Sequence, residues 1–517
     1  MIPDYQDRFL SSSYIYNPPF GGAADDPSRY NFYTVDNNDR DILGENFTFR
    51  LNSSLNYFIA DQFASIFSFG AKGKFMHNRH SRPETATILS ISPITDNTSP
   101  DYGDTQLKKF LHKGNQTSDF LSNGINFGPT ANVDAIQQFI KNRPDRFELD
   151  EYRTELGKNT VDYLADENIL AGYIMNRSQF NKLLVIAGAR IENTNVDYKA
   201  KRIFRYNKDA DPNVNGGQLP GTETPVYNAF IATDADSALN YTMILPNLQF
   251  KYDIAKNSLL RLAWTTGYSR PNIGELMPTV NVNPDLGKIE MGNPGLKAAY
   301  ANNFDLLFEQ YLQNIGILSA GLFYKHIDKF QYLSEGVLND PANPYFNPNQ
   351  DDQYIFIQPK NGEAAHVYGL ELTLNASLSF LPGFLKNLVF TSNYTYVHSK
   401  ATTNALRGEL RLPGQADHTG NIALSYSTPK VILQASANYN GKFIYALGAG
   451  EDEDLWVDAR WQLDINGSYN ITKSLRFYVE AVNVLNSPAY TYMGDVSRVY
   501  ELEYTRPFVR GGLTYRF

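Results

Sequence analysis

The stretch VDARWQLDINGSYNI, residues 457–471, alternates without a break. Val457, Ala459, Trp461, Leu463, Ile465, Gly467, Tyr469 and Ile471 fall on one side of a period of two. Asp458, Arg460, Gln462, Asp464, Asn466, Ser468 and Asn470 fall on the other. A period of two belongs to the extended chain, whose successive side chains point to opposite faces. Strands of soluble domains run to about five or six residues. This one runs far beyond that, and a strand crossing a bilayer at a tilt needs roughly 9–11 residues.

The pattern recurs in NFTFRLNSSLNY (46–57), YGLELTLNASLSF (368–380), VILQASANYN (431–440) and the terminal FVRGGLTYRF (508–517). Fifteen strands are expected, at 44–57, 62–79, 168–179, 183–199, 240–254, 257–270, 298–312, 315–331, 364–380, 387–401, 416–427, 430–445, 457–470, 474–486 and 507–517. LLVIAGA (183–189) is apolar on both faces, and Phe323 and Phe508 sit on the polar side of their strands.

The connections alternate short and long. Short ones lie near residues 59–62, 178–182, 254–257, 312–315, 381–386, 428–429 and 471–473. Long ones cover about 80–167, 200–239, 271–297, 332–363, 402–415, 446–456 and 487–506. An up-and-down transmembrane barrel, with short periplasmic turns and long extracellular loops, has this parity. A Greek-key sandwich has no reason to keep it. The expected fold is therefore all-β: a transmembrane antiparallel barrel over 44–517, with residues 1–43 as the remnant of an extracellular loop.

Composition agrees. The chain has 517 residues, 35 Tyr and 32 Phe, no Cys and a net charge of −9. That mild acidity argues against nucleic acid as a partner. No run approaches the ~18 apolar residues of a membrane helix. The mean hydropathy of −0.40 suits a barrel as well as a soluble protein, since half of each strand faces a polar interior. Aromatics gather at strand ends, as in Tyr57 with Phe58 and Tyr439 with Phe443 and Tyr445. Rings at the two water interfaces of a bilayer do this. Tyr515 and Phe517, on the apolar side of the last strand, are expected at the periplasmic rim, where a terminal strand guides insertion. Fifteen is odd, whereas single-chain bacterial barrels have even strand numbers. No signal peptide is legible at MIPDYQDRFL either, so an odd number of strands is expected to precede Met1.

Several stretches resemble the barrel of TonB-dependent outer-membrane receptors in their Bacteroidetes style. These are YTMILPNLQFKYDIAKNSLLRLAWTTGYSRPNIGEL (241–276), MGNPGLKAAYANNFDLLFEQYL (291–312), GILSAGLFYKHIDKF (316–330), VYGLELTL (367–374) and VIAGARIENT (185–194). The last carries the family's Gly-x-Arg-x-Glu strand at Gly188, Arg190 and Glu192. The resemblance implies a barrel of 22 strands plugged by an amino-terminal domain. On it, this chain holds the last fifteen strands, and the plug and the segment that contacts TonB lie outside it. It also implies a Gram-negative outer-membrane address. The implied function is a receptor that binds a scarce nutrient at its extracellular loops and imports it with TonB-delivered energy. Partners would be outer-membrane lipid, the TonB complex, an unknown nutrient and, as in some relatives, a surface lipoprotein.

Candidate sites are sparse. Tyr345, Phe346 and Tyr354 in NPYFNPNQDDQYIF (343–356) offer rings for stacking on a ligand, or for packing their own loop. Trp456 follows the acids Glu451 to Asp454, which read as a cation site or as a solvated charge run. Arg190 and Glu192 share an inward face, as a plug contact or as a wall salt-bridge ladder. NVDAIQQFIKN (132–142) has helical spacing within the longest loop. His77 and His80 are expected in a loop above the rim, and no third ligand with metal spacing accompanies them. No catalytic constellation, cofactor motif or metal site is expected. The competing readings are a passive or structural barrel of porin or adhesin type, a non-functional fragment and, last, an outer-membrane hydrolase.

Overall fold

The computed structural model describes residues 34–37, 40–60, 63–82, 86–90, 98–99, 101–112, 117–120, 125–127, 131–160, 162–206, 229–283, 287–337, 354–403, 408–448 and 450–517. Among the described residues, fifteen long strands build the wall. They are β1 (Asp41–Ile59), β2 (Phe63–Ser81), β3 (Tyr163–Phe180), β4 (Leu183–Tyr206), β5 (Ala229–Ala255), β6 (Ser258–Ser269), β7 (Ala299–Leu312) and β8 (Gly316–Asp328). They continue with β9 (Ala364–Ser377), β10 (Leu388–Thr402), β11 (His418–Ser427), β12 (Val431–Asn440), β13 (Arg460–Asn470), β14 (Leu475–Val482) and β15 (Phe508–Tyr515). Each pairs antiparallel with its neighbour in the chain, from β1 with β2 to β14 with β15. No register joins β15 to β1 among the described residues, so these two strands are the edges of the sheet.

Alternation sorts the wall into two faces. Leu51, Ile244 and Leu322 are 71%, 61% and 55% exposed, and Ile174, Ile191, Leu433 and Leu513 also face outward. A continuous apolar surface of this extent is too large for water and fits lipid. The opposite face carries Glu167, Glu192 and Thr194, all buried.

Glycine lets bulky rings lie on the polar face. A Cβ on Gly369 would stand 2.5 Å from the Phe323 ring and 2.1 Å from the Tyr396 carbonyl oxygen. Phe323, whose position on the polar side was anomalous, therefore covers the bare backbone of Gly369. Tight turns at the short end use Asn181 (φ 48°) and Asn314 (φ 57°), the residue type that best tolerates the left-handed region after glycine.

Several strands outrun their expected ends, β3 by five residues at Tyr163, and two do so by more. β4 continues to Tyr206 and β5 begins at Ala229, above the apolar band. There the pairs Lys201 with Asp234 and Lys199 with Asp236 oppose unlike charges across the hairpin. His77 and His80 lie within β2, not in a loop above it.

The long connections carry structure of their own. Helix α1 (Val133–Asn142) is capped by Asn132, whose side chain accepts from the Ala135 N–H at 3.1 Å. Helix α2 (Glu151–Asn159) follows, capped in the same way by Asp150. Between them the Arg143 guanidinium hydrogen-bonds Asp145 and holds its carboxyl below the usual range. Phe443–Ala446, Leu455–Val457, Ala489–Met493 and Val499–Glu503 make a separate four-stranded sheet from two long loops. Tyr492, in that sheet, has its phenol pushed up by burial. Val280–Asn283 pairs parallel with β4, and Lys288–Met291 pairs parallel with Ile355–Asn361, which stitches two more loops to the wall.

Candidate functional site

The densest polar cluster on the inner face begins at Gly188, Arg190 and Glu192 on β4. Gly188 is there because the strands approach closely: a Cβ would stand 2.6 Å from the Ile174 carbonyl oxygen. Two residues on, Arg190 Nη2 donates to Glu192 Oε2 at 2.6 Å, and Nε donates to the same oxygen at 3.0 Å. The other oxygen, Oε1, accepts from the Tyr268 hydroxyl and from Arg270 Nη2. Arg270 also reaches Glu167 of β3, with Nε 3.5 Å from Oε1, and its Nη2 lies 2.6 Å from the Tyr268 hydroxyl. Two arginines and a phenol thus converge on one buried carboxylate, and the second arginine bridges it to another.

Besides Glu167 and Tyr268, Arg270 is a member that the sequence did not expose. It reaches the cluster because the wall splits. The β5–β6 register ends at Asn247 opposite Thr265, although both strands continue. Pro246, one residue away, has no N–H to donate, and its carbonyl is taken by the Thr266 hydroxyl at 2.8 Å. Beyond this split Tyr268 and Arg270 turn to Glu192.

The connection that follows Arg270 is held down as well. Ile273–Leu276 is a single helical turn with a capping box between Asn272 and Glu275. It delivers Leu276 and Met277 into a cluster with Ala165, Val196, Tyr198, Ala200 and Leu296. Burial of Leu276, Met277 and Leu296 contributes on the order of 1.5–3 kcal/mol each. The ion cluster fixes where the connection leaves the wall, and the apolar cluster fixes where it lands. Arg190 and Glu192 are therefore a wall salt bridge, extended to Glu167 through Arg270.

The other expected residues are scattered. Tyr345 and Phe346 lie outside the described residues. Tyr354 is 5% exposed and packs with Val280, Val282 and Ile289, the packing alternative for that ring. Trp456 is half-buried in the loop sheet, and Lys442 Nζ lies 5.6 Å from its ring centroid. Beside it Asp454 is buried and accepts from the Gly448 N–H at 2.9 Å, while Glu451 to Glu453 form one exposed 3-10 turn. Tyr515 and Phe517 end the chain at the short-turn side, exposed, with ring centroids 5.2 Å apart. Among the described residues, no group of three or more His, Asp or Glu side chains is placed to hold a metal ion.

Comparison with known proteins gives the family. A family model described as "TonB dependent receptor-like, beta-barrel" matches residues 3–484. The ferric-catecholate import receptor Fiu of E. coli K12, in its closed form, superposes with a TM-score of 0.56 at 14% identity. The match covers 92% of this chain and 55% of that one. A ferric citrate transporter, FecA, gives a TM-score of 0.55 at 11% identity over 93% of this chain and 56% of that one. The ferric yersiniabactin uptake receptor FyuA of Yersinia pestis gives 0.50 at 11% identity, over 93% and 55%. The chain thus spans about half the length of these structures, and at such identities the likeness is one of fold. No curated protein matches the sequence. The sheet of paired strands, its lipid-facing belt and the family model agree: the chain belongs to the TonB-dependent receptor family and forms part of its β-barrel in the Gram-negative outer membrane.

Proposed function

We propose that this chain is the barrel portion of a receptor that binds a scarce nutrient at its extracellular loops and imports it with energy delivered through TonB. The observation that carries the reading is the inner wall. There the connection 271–297 is held to the wall by Arg270 and packed down by Leu276, Met277 and Leu296. A connection held in this way presents a fixed surface to a ligand. The residues proposed to contact the nutrient remain Tyr345, Phe346, Tyr354 and Trp456, of which Tyr354 would first have to leave its apolar packing. Ferric chelates are the first nutrient class to test, because the solved relatives named above are receptors or transporters of ferric chelates. TonB would deliver the energy, and a surface lipoprotein would cover the loops. Tyr515 and Phe517 are proposed as the terminal insertion signal.

The test is uptake. A strain lacking the gene that encodes this chain is grown on a panel of ferric chelates and other scarce nutrients, beside a strain lacking TonB. The proposal predicts that both strains lose growth on the same nutrient. Uptake that depends on this gene but persists without TonB would establish the passive barrel instead.

A further inference from the structure

Two histidines face each other across the β8–β9 pair, His326 opposite His366. They share parity with the exposed Leu322 and Tyr368, on the outward side of the wall. His326 is ten residues beyond Gly316, near the long-loop end of its strand. At ~3.3 Å per residue and a tilt near 40° this is roughly 25 Å, the height of the apolar band, so the pair stands at its upper edge and meets water. The His326 side chain is 33% exposed. Beyond it the Lys329 N–H donates to the Glu363 carbonyl at 3.1 Å and closes the base of the connection 329–363.

Three polar atoms converge there. His326 Nδ1 lies 3.4 Å from His366 Nδ1, and the Tyr324 hydroxyl lies 2.8 Å from the same His366 nitrogen. An imidazole nitrogen carries one proton or one lone pair, in the plane of the ring, so His366 Nδ1 cannot serve both neighbours. On the other side of its ring, His326 Nε2 lies 3.1 Å from Asp328 Oδ1. A carboxylate only accepts, so Nε2 holds the proton and Nδ1 keeps its lone pair. With Tyr324 donating to His366, the two Nδ1 atoms then face each other with no proton between them.

A metal ion between the nitrogens would satisfy all three atoms. Two Zn–N bonds of about 2.05 Å at the tetrahedral angle set their nitrogens about 3.3 Å apart. The separation here is 3.4 Å. The Tyr324 oxygen would take a third position, its proton passing to water, and a water molecule the fourth. Asp328 on Nε2 of His326 supplies the carboxylate that fixes the tautomer and orientation of a ligating imidazole. The neighbouring strands offer little charge against an ion. Lys400, opposite His366 on β10, is paired with Glu409, and Asn302, opposite His326 on β7, is neutral. The third ligand is a phenol, so this cluster is not one of three His, Asp or Glu side chains. We propose that His326, His366 and Tyr324 form a site for a divalent transition-metal ion of the zinc class, with Asp328 as a positioning residue.

The experiment titrates Zn2+ alone into the full chain, purified from outer membranes in detergent and stripped of metal with a chelator, and reads binding by calorimetry. Wild type is expected to bind the ion, and H326N and H366N are each expected to weaken binding about a hundredfold. D328N is expected to lose about tenfold, with the heat-modified gel mobility of the folded wall unchanged. H80N/H112N, which alters histidines away from this pair, is expected to bind as wild type does. X-ray absorption at the zinc edge of the wild-type complex needs no variant, and is expected to show two imidazole nitrogens at about 2.0 Å. No zinc bound by wild type, wild-type affinity in both H326N and H366N, or an edge spectrum without imidazole overturns the proposal. Wild-type affinity in D328N overturns the role given to Asp328.

Discussion

Replacing Glu192 by alanine removes the acceptor shared by Arg190, Tyr268 and Arg270. The Glu192 side chain is 8% exposed, so water cannot take its place without opening the wall. Deleting one partner of a buried ion pair costs about 3–5 kcal/mol. Arg270 keeps Glu167 and is 32% exposed, which favours the lower end, about 3 kcal/mol. The loss falls on the connection 271–297, because Arg270 is where it leaves the wall. At 1.36 kcal/mol per factor of ten, the open population of that connection rises about a hundredfold. Trypsin reads this population at Lys288 and Lys297, which lie in the connection, as long as closing is fast relative to cleavage. Outer membranes carrying E192A are expected to be cut there about a hundredfold faster than wild type, with E192Q in between. R190A should have a smaller effect, because it leaves the contact of Arg270 with Glu192 intact. Cleavage of E192A at the wild-type rate would refute the view that this cluster holds the connection down.

Two further outcomes follow from the faces of the wall. Leu322 lies near mid-height on the lipid side, so L322R is expected to cost about 2–4 kcal/mol and lower the yield of folded chain. T373R, on the inner face of the adjacent strand β9, should be tolerated, and the two are compared by heat-modified mobility on gels. G369A meets both the Phe323 ring and the Tyr396 carbonyl oxygen, so it should cost about 1–3 kcal/mol, and F323A should not rescue it. At Gly73 the three atoms nearest to an added Cβ all belong to the Phe49 ring, which can swing aside, so G73A should be mild in the same assay.

The strands were legible because a wall between lipid and a polar interior imposes alternation along most of each strand. β4 and β7 begin or end within a residue or two of the breaks in pattern at Leu183, Ala299 and Leu312. Where the wall rises above the bilayer the demand lapses. The charged extension of the β4–β5 hairpin was therefore read as loop, although Asp234 and Lys201 pair across it. Arg270 was hidden for a different reason. Parity within one strand says which face a residue takes, but a partner two or three strands away depends on register, and here on the split beside Pro246. Tyr354 shows the limit for loops. Its ring is as suited to packing as to stacking, and Val280, Val282 and Ile289, from a different connection, decide the matter. The sheet that holds Trp456 joins two connections far apart in the chain, and no local pattern announces it.

The central claim is that this wall meets lipid on one face and a polar interior on the other. The chain has no cysteine, so single cysteines can be introduced one at a time from Trp461 to Tyr469 and labelled with an environment-sensitive fluorophore in outer-membrane vesicles. Brominated lipid is then added as a quencher. The account predicts strong quenching at 461, 463, 465, 467 and 469 and little at 462, 464, 466 and 468. Quenching that is uniform along β13, or absent from it, would contradict the account.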